Sequence, residues 1–352
     1  MTRRRLIQAL PALLLLVPLL GLTAGCRGGD DQTLIVYSPH GRDLLAALET
    51  AFEEEHPGID VRWLDMGSQE VFDRIRSEKA NPQADVWFGG PATIFSRGAE
   101  AGLLAPYRPE WADAVPADAQ GPDDLYFGAY RTAPVLVYNA NEVSEENAPN
   151  DWNDLLAPRF EGEVIIRDPL ASGTMRTMFG MILARSVQET GTPTRGFEWL
   201  RALDAQTREY VLNPALMIEK LIRGEGQVTV WELTDMLLQQ QRGNPLRFRF
   251  PASGTPVIVD SIGLVAGARH PEPAKAWIDF VGSAAAQELA ARQGLRLPAR
   301  NDLPRQELPE WAGEVLDNLV PADVDWSLIA EHGDDWMRTW DREVRGQGAR
   351  DR

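Results

Sequence analysis

Hydrophobic positions along the chain switch between two periods. TLIVYS (33–38) is a short β-branched run and reads as a buried strand. Behind it, Leu44, Leu45, Leu48, Ala51 and Phe52 recur at helical spacing until His56-Pro57-Gly58 ends the pattern. IDVRWLDM (59–66) alternates as a second strand. SQEVFDRIRSEKANP is an amphipathic helix, capped by Ser68 and stopped at Asn81-Pro82. ADVWFGG (84–90) is a third strand that runs into two glycines. Strand, helix, strand, helix, strand is the order of a parallel α/β layer.

The pattern then turns over. TAPVLVYN (132–139) is one extended run followed by polar NANEVSEENAPN, a suitable crossover into a second lobe. DWNDLLAPRF (151–160) reads as a short helix, EVIIRDP (163–169) as a strand and SGTMRTMFGMILARSV (172–187) as a long apolar-faced helix. TRGFEWLRALDAQT is a further helix, and QVTVWEL (227–233) and PVIVDSIGLVAG (256–267) are strands. PEPAKAWIDFVGSAAAQELAARQG (271–294) reads as helical throughout. A body of this length exceeds one typical core. The expected division is a first lobe of 33–131 with about 260–320, a second lobe of 132–259, and a helical tail over 321–352.

The N-terminus changes the picture of where this body works. MTRRRLIQALPALLLLVPLLGLTAGC has three arginines, an apolar run and a small-residue ending, the order of a secretory signal over 1–26. Pro11 and Pro18 break the run, which is short for a spanning helix. Cys26 is the single cysteine, so no internal disulfide forms. LTAGC resembles a bacterial lipobox, with Thr23 where leucine is usual and Leu22 one position further back. That resemblance implies lipidation at Cys26, a tether over 27–32, and a protein anchored on the periplasmic or cell-surface side. The formal net charge of −17 argues against nucleic acid as a partner, since that affinity rests on basic residues neutralising phosphates.

TLIVYSPHGRDLLAALETAFEEEHPGIDV, NPQADVWFGGPATIFSRGAEAGLLAPY, DPLASGTMRT and PEPAKAWIDFVGSAAAQELAARQGLRLPAR occur in an order that resembles the substrate-binding proteins of bacterial ABC importers. The similarity is to the branch of ferric-ion-, thiamine- and 2-aminoethylphosphonate-binding proteins. It implies an α/β, two-lobe type II periplasmic-binding fold with mixed, mostly parallel sheets and a ligand cleft between lobes. It implies as partners a small molecule or ion and an ABC permease with its ATPase, the protein itself being a monomer. Ferric members hold iron through a histidine after the first strand, an acidic residue near the third, and paired tyrosines in the second lobe. Here His40 comes one residue early, the acidic position is Gly90, VTVWELTD has no tyrosine pair, and Tyr210 stands alone. No resident cofactor or metal is expected; iron as transported ligand would use His40, Glu232 and Asp235.

Strand ends carry the candidate site. Ser172-Gly173-Thr174 stands between a strand and a helix, where free N–H groups and the helix dipole suit phosphate, phosphonate or carboxylate. A plain serine cap, worth about 1 kcal/mol, explains the same residues. Arg176 is one turn further on and either assists the anion or is a solvated arginine. Ser38, His40 and Gly41 form a similar turn, repeated at Ser68 and Gln69 and at Gly89 and Gly90. Trp231 is either core or a platform for a cation beside Glu232. Asp260 either meets ligand or bonds to backbone, and the second Ser-Gly-Thr, at 253–255, reads as a turn. No GxSxG, HExxH, P-loop or strand-linked GxGxxG is present, so an enzyme ranks far below a solute receptor. The ligand ranking is a small phosphorylated or phosphonate solute, then ferric iron, then thiamine or a polyamine.

Overall fold

The strand–helix alternation of the first stretch forms as its periodicity dictates. In the computed structural model, which describes residues 33–347, β1 (Thr33–Ser38) leads to α1 (Arg42–Glu55), β2 (Asp60–Asp65), α2 (Ser68–Ser77), β3 (Val86–Pro91) and α3 (Ala92–Glu100). The expected signal at 1–26, Cys26 and the tether at 27–32 lie outside the described residues. β4 (Leu104–Ala105) and β5 (Phe127–Thr132) follow, and Ala133 separates β5 from β6 (Pro134–Asn139). Then come β7 (Val164–Arg167), α4 (Gly173–Thr190), α5 (Thr194–Gln206), β8 (Thr207–Val211), α6 (Pro214–Ile222), β9 (Val228–Glu232), α7 (Leu233–Gln241) and β10 (Leu246–Arg249). The last elements are β11 (Ile258–Val265), α8 (Pro271–Gly282), α9 (Ala284–Gln293), β12 (Leu297–Pro298), α10 (Glu310–Asn318) and α11 (Trp326–Glu343).

Two sheets result. The first runs β12-β5-β11-β3-β1-β2, with β4 also on β11, and the second runs β10-β6-β9-β7-β8. β1 pairs in parallel with β2 and β3, and β7 with β8 and β9. Both sheets are mixed, but antiparallel pairings are the more numerous, because β5, β6, β10, β11 and β12 return against their neighbours. The run 132–139 is thus two strands in different sheets rather than one. The chain crosses between sheets there and again between β10 and β11, where Thr255 Oγ1 donates to Pro134 O at 2.6 Å.

The first sheet is buried on both faces. Leu34, Val36, Val86 and Phe88 point into a cluster with α1, α8 and α9. Tyr37 and Trp87, the alternate positions, join Val71, Phe72 and Phe95 beneath α2 and α3. In the second lobe α4 is buried nearly all round, packed against the sheet, α5 and α11.

Four local readings change. The stretch 271–294 breaks at Ser283, whose hydroxyl caps α9 by accepting from Ala286 N; Gly282 before it is held against Trp111. Residues 151–160 form short 3₁₀ turns because Pro158 interrupts them. β8 and β10 are strands that the sequence pattern did not single out. Ala312 and Val315 of α10 pack into the second lobe's core, although the sequence division put them with the first lobe. Among the described residues no helix is long and apolar enough to cross a membrane.

Candidate functional site

The ends of both sheets face one cleft of about 370 Å³. Helix N-termini converge on it, since each helix begins where a strand stops. Arg42 and Asp43 of α1, Ser68 of α2, Thr174 of α4, Pro214 of α6 and Thr234 of α7 all line the cleft. The N-caps of α1, α2 and α7 are Gly41, Gly67 and Glu232, and none makes a side-chain capping bond. Their first-turn N–H groups take no side-chain cap, while Asp43, Glu70 and Asp235 in those first turns set negative charge beside the helix dipoles. At α4, Ser172 Oγ accepts from Met175 N at 3.3 Å. Gly173 N donates to Ser68 Oγ at 3.0 Å, so the lobes touch directly at the expected anion loop. Arg167, at the end of β7, is 5 % exposed and lines the cleft; its Nη1 donates to Val211 O, while its Nε has no protein partner.

A charge cluster also lines the cleft. Arg296 from the first lobe donates to Glu232 Oε1 at 3.2 Å, Thr234 Oγ1 at 2.8 Å and His40 O at 3.0 Å, tying the two lobes together. Burial lowers its pKa, but the carboxylates of Glu232, Asp235 and Asp260 outweigh that and hold it above its usual value. Burial pushes Glu232 up to about 7 against the pull of Arg296, with Asp235 and Asp260 adding to the rise. Burial likewise lifts Asp260 to about 6, opposed by Arg296 and by an N–H bond from Gly90. One guanidinium serves three carboxylates, so the cluster favours an additional proton or positive charge. His40 is held well below its usual pKa, first by burial and then by Arg296, and is neutral.

Of the sequence candidates, His40, Gly41, Ser68, Gly90, Ser172, Thr174, Trp231, Glu232, Asp235 and Asp260 line the cleft. Trp231 does so while 5 % exposed, with its Nε1 donating to Asp235 Oδ2 at 2.6 Å. Four candidates have other positions. Ser38 is buried beneath the turn and its Oγ accepts from His40 N. Gln69 points outward, between Asp73 and Arg97. Gly89 has φ +101°, and a Cβ on it would lie 2.6 Å from His40 Nε2, so it makes room for the imidazole. Gly173 forms the lobe contact just described. Arg176 turns from the anion loop to pair with Asp334 of α11. His40, Glu232 and Asp235 all line the cleft, but among the described residues no three His, Cys, Asp or Glu side chains are grouped to hold a metal. Arg296 and Arg167 were missed. The only signal for Arg296 was a charged residue between Leu295 and Leu297, and RDP gave none for Arg167.

The sequence profile of bacterial extracellular solute-binding proteins matches residues 81–314. A probable ABC transporter periplasmic-binding protein, y4fP of Sinorhizobium fredii, is 29% identical over 89% of this chain and 87% of its own. Iron uptake protein A1 of Synechocystis is 27% identical over 84% and 85%. A putative 2-aminoethylphosphonate-binding periplasmic protein of Salmonella typhimurium is 28% identical over 78% and 80%. Among solved structures, the periplasmic binding protein AfuA of Actinobacillus pleuropneumoniae, with exogenous fructose-6-phosphate bound, aligns with TM-score 0.76 and 25% identity over 89% of this chain and 99% of its own.

Proposed function

Since this chain belongs to the bacterial extracellular solute-binding protein family, as the substrate-binding protein of an ABC transporter, we propose that its cleft captures a small phosphorylated or phosphonate solute. The family is one of transport binding proteins, whose members take a small ligand and present it to an ABC permease outside the cytoplasm. The observation that carries the ligand reading is the convergence of the uncapped N-termini of α1 and α2 with Ser172, Thr174 and Arg167 in one cleft. An oxyanion there accepts from N–H groups and a guanidinium without needing a metal. The ligands named for AfuA and for the Salmonella relative, a sugar phosphate and an aminophosphonate, are of this chemical kind.

The carboxylate cluster supports a narrower reading, in which the ligand also carries an amine that faces Trp231 and Glu232. Lipidation at Cys26 would keep the monomeric receptor near its permease. Calorimetric titration with phosphate esters and with phosphonates, each with and without an amino group, tests both readings. An anion seat predicts binding that weakens about tenfold or more in Ser172→Ala. An amine pole predicts that deaminated analogues bind more weakly. Equal binding by Ser172→Ala and the parent chain would overturn the anion seat.

A further inference from the structure

Outside the cleft, the C-terminal helix α11 bridges the two lobes. It is fixed to the second lobe along its length. Ile329 packs on Gly180 of α4, where a Cβ would come within 3.2 Å of it. Trp340 meets Phe179 edge-on at 5.4 Å and Tyr210 at 5.0 Å. Beyond the helix, Arg345 pairs with Asp168, and Gly346 N donates to Asp204 Oδ1 at 2.9 Å. Helix α11 therefore moves with the second lobe. Its Asp334 reaches Arg176 of α4 through one carboxylate oxygen and Arg97 of α3 through the other, the latter at 2.9 Å.

Arg97 belongs to the first lobe and is held there independently. Its guanidinium lies 4.5 Å over the Phe72 ring, and its Nη1 donates to Gln69 Oε1 at 3.2 Å. Gln69 follows Ser68, which takes the inter-lobe bond from Gly173, while Arg176 lies one turn beyond Gly173 on α4. Asp334 thus joins α4 of the second lobe to α3 of the first, and Arg97 of α3 in turn holds α2 through Gln69. Asp334 therefore stands between Arg97 and Arg176, two cations whose side chains are 18% and 13% exposed. Their repulsion opposes closure unless an anion lies between them.

We infer that Asp334 is an affinity-setting latch, a positioning residue that favours the closed form by pairing with Arg97 and Arg176 across the lobe boundary. It touches no ligand, and the inference does not depend on which ligand the cleft takes. A ligand that binds the closed form feels the latch only through the closed population.

Pulsed electron–electron distance measurement on the full chain tests this. Labels at Glu54→Cys on α1 and Arg201→Cys on α5, in a Cys26→Ser background, report the lobe separation of the ligand-free protein. Asp334→Asn and Arg97→Gln are each expected to lower the closed-to-open ratio by about five- to tenfold, as loss of one charge-assisted bond implies. Asp334→Glu should retain the parent distribution, and, because Arg97→Gln also removes the cation that repels Arg176, the double variant should resemble Arg97→Gln. One molar salt should move the parent toward Arg97→Gln, leave Arg97→Gln little changed, and move Asp334→Asn partway back toward the closed form by screening the Arg97–Arg176 repulsion. A purely structural role for Asp334 would lower the melting temperature with no change in distances. That outcome, identical distance distributions in parent and both variants, or additive shifts in the double variant, would overturn the inference.

Discussion

Replacing Gly173 by alanine is expected to separate lobe closure from fold stability. Gly173 opens α4 and is not among the glycines with positive φ, so alanine suits its backbone. A Cβ there would lie 2.6 Å from Ser68 Oγ and 2.7 Å from Pro91 Cδ, closer than side chains tolerate. Both neighbours belong to the first lobe, so the clash exists only while the lobes touch. Overpacking costs about 1–3 kcal/mol. The strained Gly173 N–Ser68 Oγ bond adds about 1 kcal/mol when lost. The closed state alone bears this, so ligand affinity should fall by roughly 30- to 1,000-fold. The ligand-free chain keeps its core, and alanine at a helical position raises stability by about 0.4–1 kcal/mol. Titration calorimetry with a ligand of the parent protein, paired with scanning calorimetry of the ligand-free chain, reads both effects. Unchanged affinity, or a melting temperature several degrees lower with no ligand present, would refute the reasoning.

Three further outcomes follow from the cleft's walls. Arg296→Met should destabilise by about 3–5 kcal/mol at neutral pH, because it leaves Glu232 and Asp260 buried without their cation; chemical denaturation should show a smaller loss at pH 5, where the carboxyls take up protons. In the parent chain, Glu232 rises from 4.5 to about 7 and Asp260 from 3.8 to about 6 on folding. The folded state therefore binds these protons more tightly. Their stabilising contribution is full below about pH 4, is lost as pH rises through 6 to 7, and is on the order of 3 kcal/mol for each group. Melting curves between pH 5 and 8 should show this decline, flattened in Glu232→Gln. Gly89→Ala should destabilise by more than about 2 kcal/mol, since it joins a positive φ to a clash with His40. Adding His40→Ala should recover part of that loss in thermal melts, whereas a glycine needed only for ligand approach would show no such recovery.

Periodicity made the first lobe readable, because its strands and helices are local patterns whose buried faces repeat every two or 3.6 positions. The strand-end turns were readable for the same reason, and most of them line the cleft. What the pattern could not supply was direction. His40 sits in a turn visible from Pro39 and Gly41, but the room its ring occupies is made by Gly89 on another strand. Arg176 has helical spacing to the anion loop, yet its partner Asp334 comes from a distant helix. Arg296 shows only as a charge between leucines; its bonds to Glu232 and Thr234 exist because the lobes meet. The break at Ser283 was hidden by alanines that suit a helix on either side of a capping serine.

The anion cleft is tested most directly by a thermal-shift panel on the parent chain and Ser172→Ala, using phosphate esters, phosphonates, ferric salts with and without carbonate, thiamine, polyamines and neutral sugars. A ligand at a hundred times its dissociation constant stabilises by about 2.7 kcal/mol, which the melting temperature reports clearly. An anion seat at Ser172 gives a shift with phosphate esters or phosphonates that is reduced in Ser172→Ala. A shift with ferric salts, thiamine or sugars alone, or an oxyanion shift that Ser172→Ala leaves intact, would contradict it.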